Sequence, residues 1–483
     1  MTPLKDRPGF DKARSDLTEL FARRVGQGRA PGCYYAVFDA TGPLFGEGFG
    51  AATLGGAVPD GQTRFRIASC TKSFTVAALL ILRDAGKLVL DTPITAYVPE
   101  LRGTLPAGAP AVPTVRMLMA MAGGLPTDDP WADRQESLTG AAFRAVIERG
   151  VRFTTVPGTR FEYSNLGYAL LGQVVEHVSG QSFPDFVAEA LLGPLGLEMT
   201  TFDYTAVPQG NMATGYRPRG GAWLALPFSG PGAFSSIGGV ISTGDDLSRW
   251  AQWLCEAFRD DSPERGPLSA ASRREMQAVH CPIAPEREEA LLFKGYGFGL
   301  MAQTDARHGL KVHHSGGYPG FSSHMRWHPE TGIGVVGFEN ATYSGATLPV
   351  TAALDRLLEL GDARPTAPKP PKPPETVRDL GAKVAALVAG WEDAAAEAIC
   401  LENVAMDRPY DERAADLAAL LARAGTPDPA RAEIRPADGQ MFGQFEVRVP
   451  CTTGLIVATV LLGPPEPARI QTLQFRIAPP TEA

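Results

Sequence analysis

Between residues 365 and 374 the chain reads Pro-Thr-Ala-Pro-Lys-Pro-Pro-Lys-Pro-Pro. Proline lacks an amide hydrogen and its ring collides with the preceding helical turn. Such a run forms neither a helix nor a central strand, and favours an extended spacer. It divides the 483 residues into a large domain, 1–362, a linker, 363–375, and a smaller domain, 376–483. The length suffices for two or three domains and a large core.

The large domain opens with an amphipathic helix carrying Phe10, Leu17, Leu20, Phe21 and Val25 at helical spacing. Strand-like runs follow at 33–38 and 44–49. The stretch from about 70 to 280 is mostly helical, with helices expected at 166–178, 183–192 and 245–258. Strand signals return at 295–303, 309–314, 322–327 and 333–339, and a helix over 348–360 closes the domain. Strands at both ends with helices between them predict an α+β fold: one antiparallel sheet assembled from the two ends, flanked by helices, with an all-helical insert. The smaller domain reads as helices (377–388, 411–424) followed by strands (445–449, 455–462, 470–477). This is a small α+β pattern of the cystatin-like or NTF2-like kind, and no chemical constellation lies in it.

Ser69-Cys70-Thr71-Lys72 sits where an extended segment runs into the apolar helix that begins near Ser73. Residues three apart on a helix share a face, so Ser69 and Lys72 can meet as a nucleophile and its activating base. Ser-x-x-Lys arises by chance roughly once or twice in a chain this long, and the bland alternative is a capping serine beside a solvent-facing lysine. Two further motifs change the balance. Tyr163-Ser164-Asn165 is the one Tyr-x-Asn in the sequence, again at a loop-to-helix junction. His314-Ser315-Gly316-Gly317 ends a strand, where glycines let a substrate lie against the backbone.

Ser-x-x-Lys, Tyr-x-Asn and a basic-x-Gly triplet, in that order, resemble the serine β-lactamase and penicillin-binding-protein superfamily. The resemblance is to its class C-like branch, which includes D,D-carboxypeptidases, D-aminopeptidases and family VIII esterases. Flanking segments at 88–94, 124–126 and 238–243 support it, and it covers about residues 10–361. The resemblance implies that Ser69 attacks a carbonyl to form an acyl-enzyme, with Lys72 and Tyr163 as the other catalytic residues. It implies substrate binding by Asn165, His314, Ser315 and Gly316, and an oxyanion hole made by the backbone N–H groups of Ser69 and Gly317. Lysine and tyrosine have reference pKa values near ~10.4 and ~10, so either acts as a base at neutral pH only if its surroundings lower that value. Which of them is the microscopic base is a coupled-titration question. β-Lactamases of the branch carry Lys-Thr-Gly where this chain has His314-Ser315-Gly316. That moves the expectation from β-lactam hydrolysis towards a peptidase or esterase.

The expectation is therefore a serine hydrolase acting on an ester, amide or D-residue-containing peptide. The alternatives are a β-lactamase or penicillin-binding D,D-peptidase, and a non-catalytic binding or sensor protein on the same fold. Trp131, Tyr318 and Phe321 are expected to line the pocket. Neither a metal nor an organic cofactor is required. A net charge of −8 argues against a nucleic-acid partner. No run of about eighteen apolar residues is present to span a membrane. The N-terminus lacks the apolar segment of a signal peptide, and the expected location is cytoplasmic. The partner is a small molecule or short peptide, and a homo-oligomer is compatible with the sequence. The natural substrate and the role of the smaller domain are open at this point.

Six scattered cysteines (33, 70, 255, 281, 400, 451) without a Cys-x-x-Cys pair predict reduced thiols. Cys70 is expected to be a small buried residue rather than a nucleophile. Five histidines crowd into 308–328, where a surface or active-site-rim location is expected rather than a metal site, with His313 facing away from His314. No Gly-x-Ser-x-Gly exists, which disfavours an α/β-hydrolase.

Overall fold

The computed structural model describes residues 3–103, 112–208, 210–259, 266–284, 292–360, 372–436 and 442–478. Backbone contacts divide the chain into two compact units, Met1–Ala363 and Arg364–Ala483. The proline-rich linker expected at 363–375 lies outside the described residues up to 371.

The first unit contains strands β1 (Gly32–Asp39), β2 (Gly42–Gly50), β3 (Phe65–Arg66), β4 (Tyr216–Arg219), β5 (Ala222–Ala225), β6 (Ile241–Ser242), β7 (Cys281–Ile283), β8 (Phe293–Tyr296), β9 (Met301–Asp305), β10 (Gly309–Tyr318), β11 (Phe321–His328) and β12 (Ile333–Glu339). Eight of them form the central antiparallel sheet, in the order β2-β1-β12-β11-β10-β9-β8-β7. The two ends of the unit meet where β1 pairs with β12, from Cys33 opposite Glu339 to Phe38 opposite Gly334. β1 is buried along its whole length. Its alternation divides it between two layers: Cys33, Tyr35 and Val37 pack with Leu17, Phe21, Val350 and Leu354. Tyr34, Ala36 and Phe38 join the larger core with Phe74, Trp250 and Leu254. The helices Phe10–Gly26 and Thr347–Leu358 cover one face of the sheet, while Thr71–Asp84 and Gly244–Cys255 lie in the core on the other.

The strand expected at 295–303 is two strands. Gly297 N–H donates to the Leu300 carbonyl at 2.8 Å, closing a turn between β8 and β9. Gly299 in that turn has φ +69°, and a Cβ there would lie 2.6 Å from the Lys72 carbonyl oxygen. A hairpin pressed against the Thr71–Asp84 helix replaces the single strand because only glycine fits that approach. β10, expected to stop at 314, continues to Tyr318.

The second unit places four helices (Glu375–Ala389, Asp393–Ile399, Glu402–Asp407, Tyr410–Ala424) before strands β13 (Glu433–Pro436), β14 (Gln444–Pro450), β15 (Leu455–Leu462) and β16 (Ile470–Ile477). The four strands pair antiparallel in sequence order. Val377, Val384 and Val388, spaced for one helix face, pack with Phe445, Val447, Ile456 and Val460. Among the described residues no helix is long and apolar enough to cross a membrane.

Candidate active site

β3 pairs with β6, and Ile67 N–H donates to the Val240 carbonyl at 3.0 Å, which fixes the approach to Ser69. Ala68 then takes a φ of +48°, unusual for a residue with a side chain. This sharp turn feeds the Ala68–Cys70 helical turn and the Thr71–Asp84 helix. Ser69 stands at the N-terminal end of that helix, where unpaired amides favour developing negative charge. It is 8% exposed and Lys72 is fully buried.

Lys72 Nζ has three neighbours: Ser69 Oγ at 3.0 Å, Asn165 Oδ1 at 2.7 Å and the Ile237 carbonyl oxygen at 2.9 Å. The last two accept hydrogen bonds only. The Asn165 orientation is fixed because its Nδ2 donates to Asp129 Oδ1 at 2.5 Å. A neutral amine has two N–H groups and one lone pair. Its two hydrogens satisfy Asn165 and Ile237, leaving the lone pair for the Ser69 hydroxyl. Burial pulls the Lys72 pKa down to about 8, against the opposing fields of Asp129, Asp133 and Asp128. Ammonium and amine are thus both accessible near neutral pH.

Tyr163 places its ring 5.1 Å from Lys72 Nζ, and its hydroxyl neighbours Ser69. Desolvation, then the Asp129 carboxylate, push its pKa well above the ordinary phenol value. The Tyr163-Ser164-Asn165 turn is anchored from outside: Asp128 accepts the amides of Asn165 at 2.7 Å and Leu166 at 2.9 Å, while Ser164 caps the Asn165–Ser179 helix. Two carboxylate-held amides and a serine cap satisfy a helix start that would otherwise be left unpaired.

β10 brings the third motif alongside. β9 pairs with it only as far as His313 opposite Met301, whereas β11 continues to Tyr318, so 314–318 has pairing on one side only. Gly316 faces the Ile67–Ser69 turn; a Cβ there would lie 2.3 Å from the Ile67 carbonyl oxygen and 3.0 Å from Ala68 Cβ. His314 is buried within 6.3 Å of the Tyr163 ring, centroid to centroid. Its Nδ1 lies 2.7 Å from the Ser315 carbonyl oxygen and so carries the proton; its Nε2 accepts from the Tyr296 hydroxyl at 3.1 Å. Burial and nearby Lys72 lower its pKa to about 3, so the ring is neutral and both nitrogens are engaged. The Ser315 side chain points to the opposite sheet face, 2.9 Å from His324 Nδ1 and 3.0 Å from Thr347 Oγ1. The structure thus brings together Ser69, Lys72, Tyr163, Asn165, His314, Gly316 and Gly317, but contributes Ser315 to the cleft only through its backbone.

The beta-lactamase family profile matches residues 17–360. The chain belongs to the beta-lactamase family. This beta-lactamase-family chain is 29% identical over 337 residues to the D-alanyl-D-alanine-carboxypeptidase/endopeptidase AmpH of Escherichia coli K12, covering 66% of this chain and 82% of that one. It is 26% identical over 338 residues to Protein flp of Staphylococcus aureus MW2, covering 68% of this chain and 63% of the relative's length. Among solved structures it resembles the octameric penicillin-binding protein homologue from Pyrococcus abyssi, with a TM-score of 0.63, 21% identity, and 96% and 95% of the two chains covered.

Several residues of this family member's site do not show in its motifs. Arg66, three residues before Ser69, forms a buried ion pair with Glu136. Glu136 Oε2 also accepts from Tyr318 and Ser229, each at 2.7 Å. Asp133 accepts from Tyr343 at 2.6 Å, and burial raises its pKa to about 7. The pairs 66/136 and 133/343 are remote in sequence, so only the fold reveals them. Asp128 and Asp129 lie in the Asp-Asp-Pro-Trp-Ala-Asp run, whose density of carboxylates was the available signal. Tyr318 and Phe321 line a common cavity, whereas Trp131 is partly exposed beside Phe234.

The histidine expectation is corrected. His314 lies within the site beside Tyr163, whereas His308, His324 and His328 are buried away from the surface. Neutral imidazoles on a covered sheet face can pair with backbone or hydroxyl groups, as His328 does with the His308 carbonyl at 2.6 Å. Among the described residues no cluster of side chains is arranged to hold a metal ion. All six cysteines are unpaired. Cys70 is fully buried, and desolvation pushes its thiol up to about 12, which makes it inert.

Proposed function

We propose that this beta-lactamase-family chain is a serine hydrolase that forms an acyl-enzyme at Ser69 on an ester, amide or D-residue-containing peptide. The observation that carries the reading is the set of Lys72 partners: two obligate acceptors and the Ser69 hydroxyl. Lys72 as the neutral amine takes the Ser69 proton as Oγ bonds to the carbonyl carbon. The developing oxyanion is held by the backbone N–H groups of Ser69 and Gly317. Collapse breaks the carbon–leaving-group bond, and Tyr163 passes the proton to the departing oxygen or nitrogen. Water then attacks the ester with the roles reversed, releasing the acid and restoring Ser69 and Lys72.

Asn165 retains one carboxamide N–H beyond its bond to Asp129, suited to a substrate carbonyl. The unpaired edge of β10 from Ser315 to Gly317 offers backbone groups to an extended substrate. In this reading His314 holds Tyr296 and the strand rather than a substrate carboxylate. A neutral ring at that position favours neutral esters and amides over carboxylate-dependent binding of β-lactams. Similarity to AmpH, a D-alanyl-D-alanine-carboxypeptidase/endopeptidase, supports including D-residue peptides among the substrates. The octameric state of the Pyrococcus abyssi homologue supports an assembly of several copies in this chain too, measurable by light scattering.

The test is covalent labelling by a fluorophosphonate, with mass spectrometry of the labelled peptide. It is joined to a panel of nitrophenyl esters, D-amino-acid amides, D-Ala-D-Ala peptides and nitrocefin. Label on Ser69 and a fall in kcat on the order of 10^4–10^6 in Ser69→Ala are expected. Turnover by Ser69→Ala within about tenfold of wild type would sink the mechanism. Absence of both labelling and turnover would favour a binding protein on this fold.

A further inference from the structure

The end of β10 is held from both faces of the sheet. Beyond His313 it pairs with β11 alone among the described residues, so its other edge has no strand to steady it. Gly316 lies against the Ile67–Ser69 turn on one face, where an added Cβ would fall 2.3 Å from the Ile67 carbonyl oxygen. Strand alternation turns Gly317 to the opposite face. There the Tyr343 ring takes the place of a side chain: an added Cβ would lie 2.5 Å from its Cδ1 and 2.9 Å from its Cε1. Both positions need glycine, because something presses on the backbone from each side.

Tyr343 lies in the loop between β12 and the Thr347–Leu358 helix, at a backbone φ of +46°. Aromatic residues rarely adopt that conformation, and it persists only where the surroundings over-determine it. The neighbouring loop residues do so. Thr342 N–H donates to the Tyr216 carbonyl at 2.8 Å, and Thr342 Oγ1 accepts from Gly320 N–H at 2.8 Å. Arg24 donates to the Ser344 carbonyl at 2.6 Å, and Ser322 Oγ accepts from the amides of Gly345 and Ala346 at 3.3 and 3.1 Å. Pinned on both sides, the backbone aims the Tyr343 ring at Gly317. The far end of the ring is fixed as well: its hydroxyl donates to Asp133 Oδ2 at 2.6 Å, with Arg134 as a further neighbour. Asp133 is buried and follows the Asp129–Ala132 helix, whose Asp129 orients Asn165. Tyr343 itself is 45% exposed, so filling the core does not account for it.

We propose that Tyr343, tethered by Asp133, is a positioning residue for the Gly317 N–H: its ring keeps the end of β10 pressed toward the Ile67–Ser69 turn, so that the Gly317 and Ser69 amides stay aimed at one oxyanion. The inference rests on the serine-hydrolase reading and adds to it the side chain that sets the geometry of the oxyanion hole. In this role Tyr343 touches neither the substrate nor the reacting atoms. Its loss leaves ester binding nearly as before and weakens stabilisation of the tetrahedral intermediate, so the effect falls on kcat rather than KM.

The experiment compares wild type, Tyr343→Phe, Tyr343→Ala, Asp133→Ala, Asp133→Asn and the Tyr343→Phe/Asp133→Ala pair. The substrates are 4-nitrophenyl acetate and its thiono analogue, in which sulfur replaces the carbonyl oxygen. Sulfur accepts hydrogen bonds weakly, so the ratio of kcat/KM for the oxoester to that for the thionoester reports the oxyanion donors rather than general folding. Rates are read well above the Lys72 pKa of about 8, which loss of the Asp133 charge lowers further. Tyr343→Ala should lower kcat about 10²-fold with KM within about threefold, as for a displacement near 1 Å, and should lower the oxo-to-thiono ratio about tenfold. Tyr343→Phe and Asp133→Ala should each lower kcat about fivefold, and the pair about as much as either alone, since both break one hydrogen bond. Asp133→Asn keeps an acceptor and should recover most of that loss. Tyr343→Phe retains the ring, so it serves if Tyr343→Ala does not fold. A fall in activity with an unchanged ratio overturns the proposal, as do variants within about twofold of wild type; Ser69 labelling in wild type then leaves the acyl-enzyme reading standing. No turnover and no Ser69 label in wild type overturn both.

Discussion

Gly316→Ala tests the contact between β10 and the Ile67–Ser69 turn. The new Cβ would sit 2.3 Å from the Ile67 carbonyl oxygen, 2.3 Å from Ser323 Oγ and 3.0 Å from Ala68 Cβ. The first contact is roughly 1 Å inside van der Waals distance. Ser323 cannot turn away cheaply, because its hydroxyl donates to that same Ile67 carbonyl at 2.6 Å. Either β10 or the Ile67–Ser69 turn must therefore shift by a large part of that overlap. Overpacking of this kind costs about 1–3 kcal/mol of stability. The larger effect is on rate: a displacement near 1 Å between nucleophile and oxyanion donors costs about 10²-fold.

Purified Gly316→Ala should thus show a Tm lower by a few degrees and a kcat on a short nitrophenyl ester about 10²-fold below wild type. Circular dichroism should remain that of the folded protein. Fluorophosphonate labelling of Ser69 should slow in parallel, since it needs the same geometry. A variant with kcat within about threefold of wild type would refute the reasoning. It would mean that the turn gives way freely, or that β10 does not border the reacting centre.

The remaining predictions concern charge. kcat/KM should rise with pH because Lys72 must lose its proton to act, with a limb near pH 8 and activity about 100-fold lower two units below it. His314, with its pKa lowered to about 3, adds no second limb in that range. A profile flat from pH 6 to 9 would sink Lys72 as the base. Asp128→Ala removes the acceptor of two helix-start amides and should cost about 0.5–2 kcal/mol in denaturant unfolding, whereas Asp128→Asn should retain part of that stability. Arg66→Met leaves Glu136 charged and buried, a loss of about 3–5 kcal/mol, and the Arg66→Met/Glu136→Met pair should recover most of it. A double variant no more stable than the single one would contradict the pairing.

Much of this architecture is legible in local pattern. The apolar spacing of Leu17 and Phe21, the strand-like run at 33–38 and the loop-to-helix junction at Tyr163–Asn165 are signals contained within a few residues. So is the placement of Ser69 and Lys72 one helical turn apart. What escapes is whatever depends on contact between distant segments. The turn at Gly297–Gly299 reads as strand until Lys72 is known to lie against it. Glu136 carries no signal in the sequence, and only the convergence of Arg66, Tyr318 and Ser229 on it reveals its place. Ser315 is different, because strand alternation already places its side chain on the face opposite His314, where His324 and Thr347 receive it. The histidines mislead for a physical reason: burial makes the rings neutral, so they occupy a covered sheet face as hydrogen-bonding groups rather than as charges.

The three aspartates around Lys72 each carry a positional duty as well as a charge. Asp128 holds the start of the Asn165–Ser179 helix, Asp129 orients the Asn165 carboxamide, and Asp133 tethers Tyr343. Together their fields raise the Lys72 pKa, while desolvation lowers it further than they restore. Geometry and base strength are therefore set by the same side chains. Replacing one aspartate by alanine moves a structural element and lowers the Lys72 pKa at once, so the effects of two such changes should not add. Replacement by asparagine keeps a hydrogen-bond acceptor and removes the charge. The pH limb of the asparagine variants thus reports the electrostatic share, and the residual loss at high pH in the alanine variants reports the positional share.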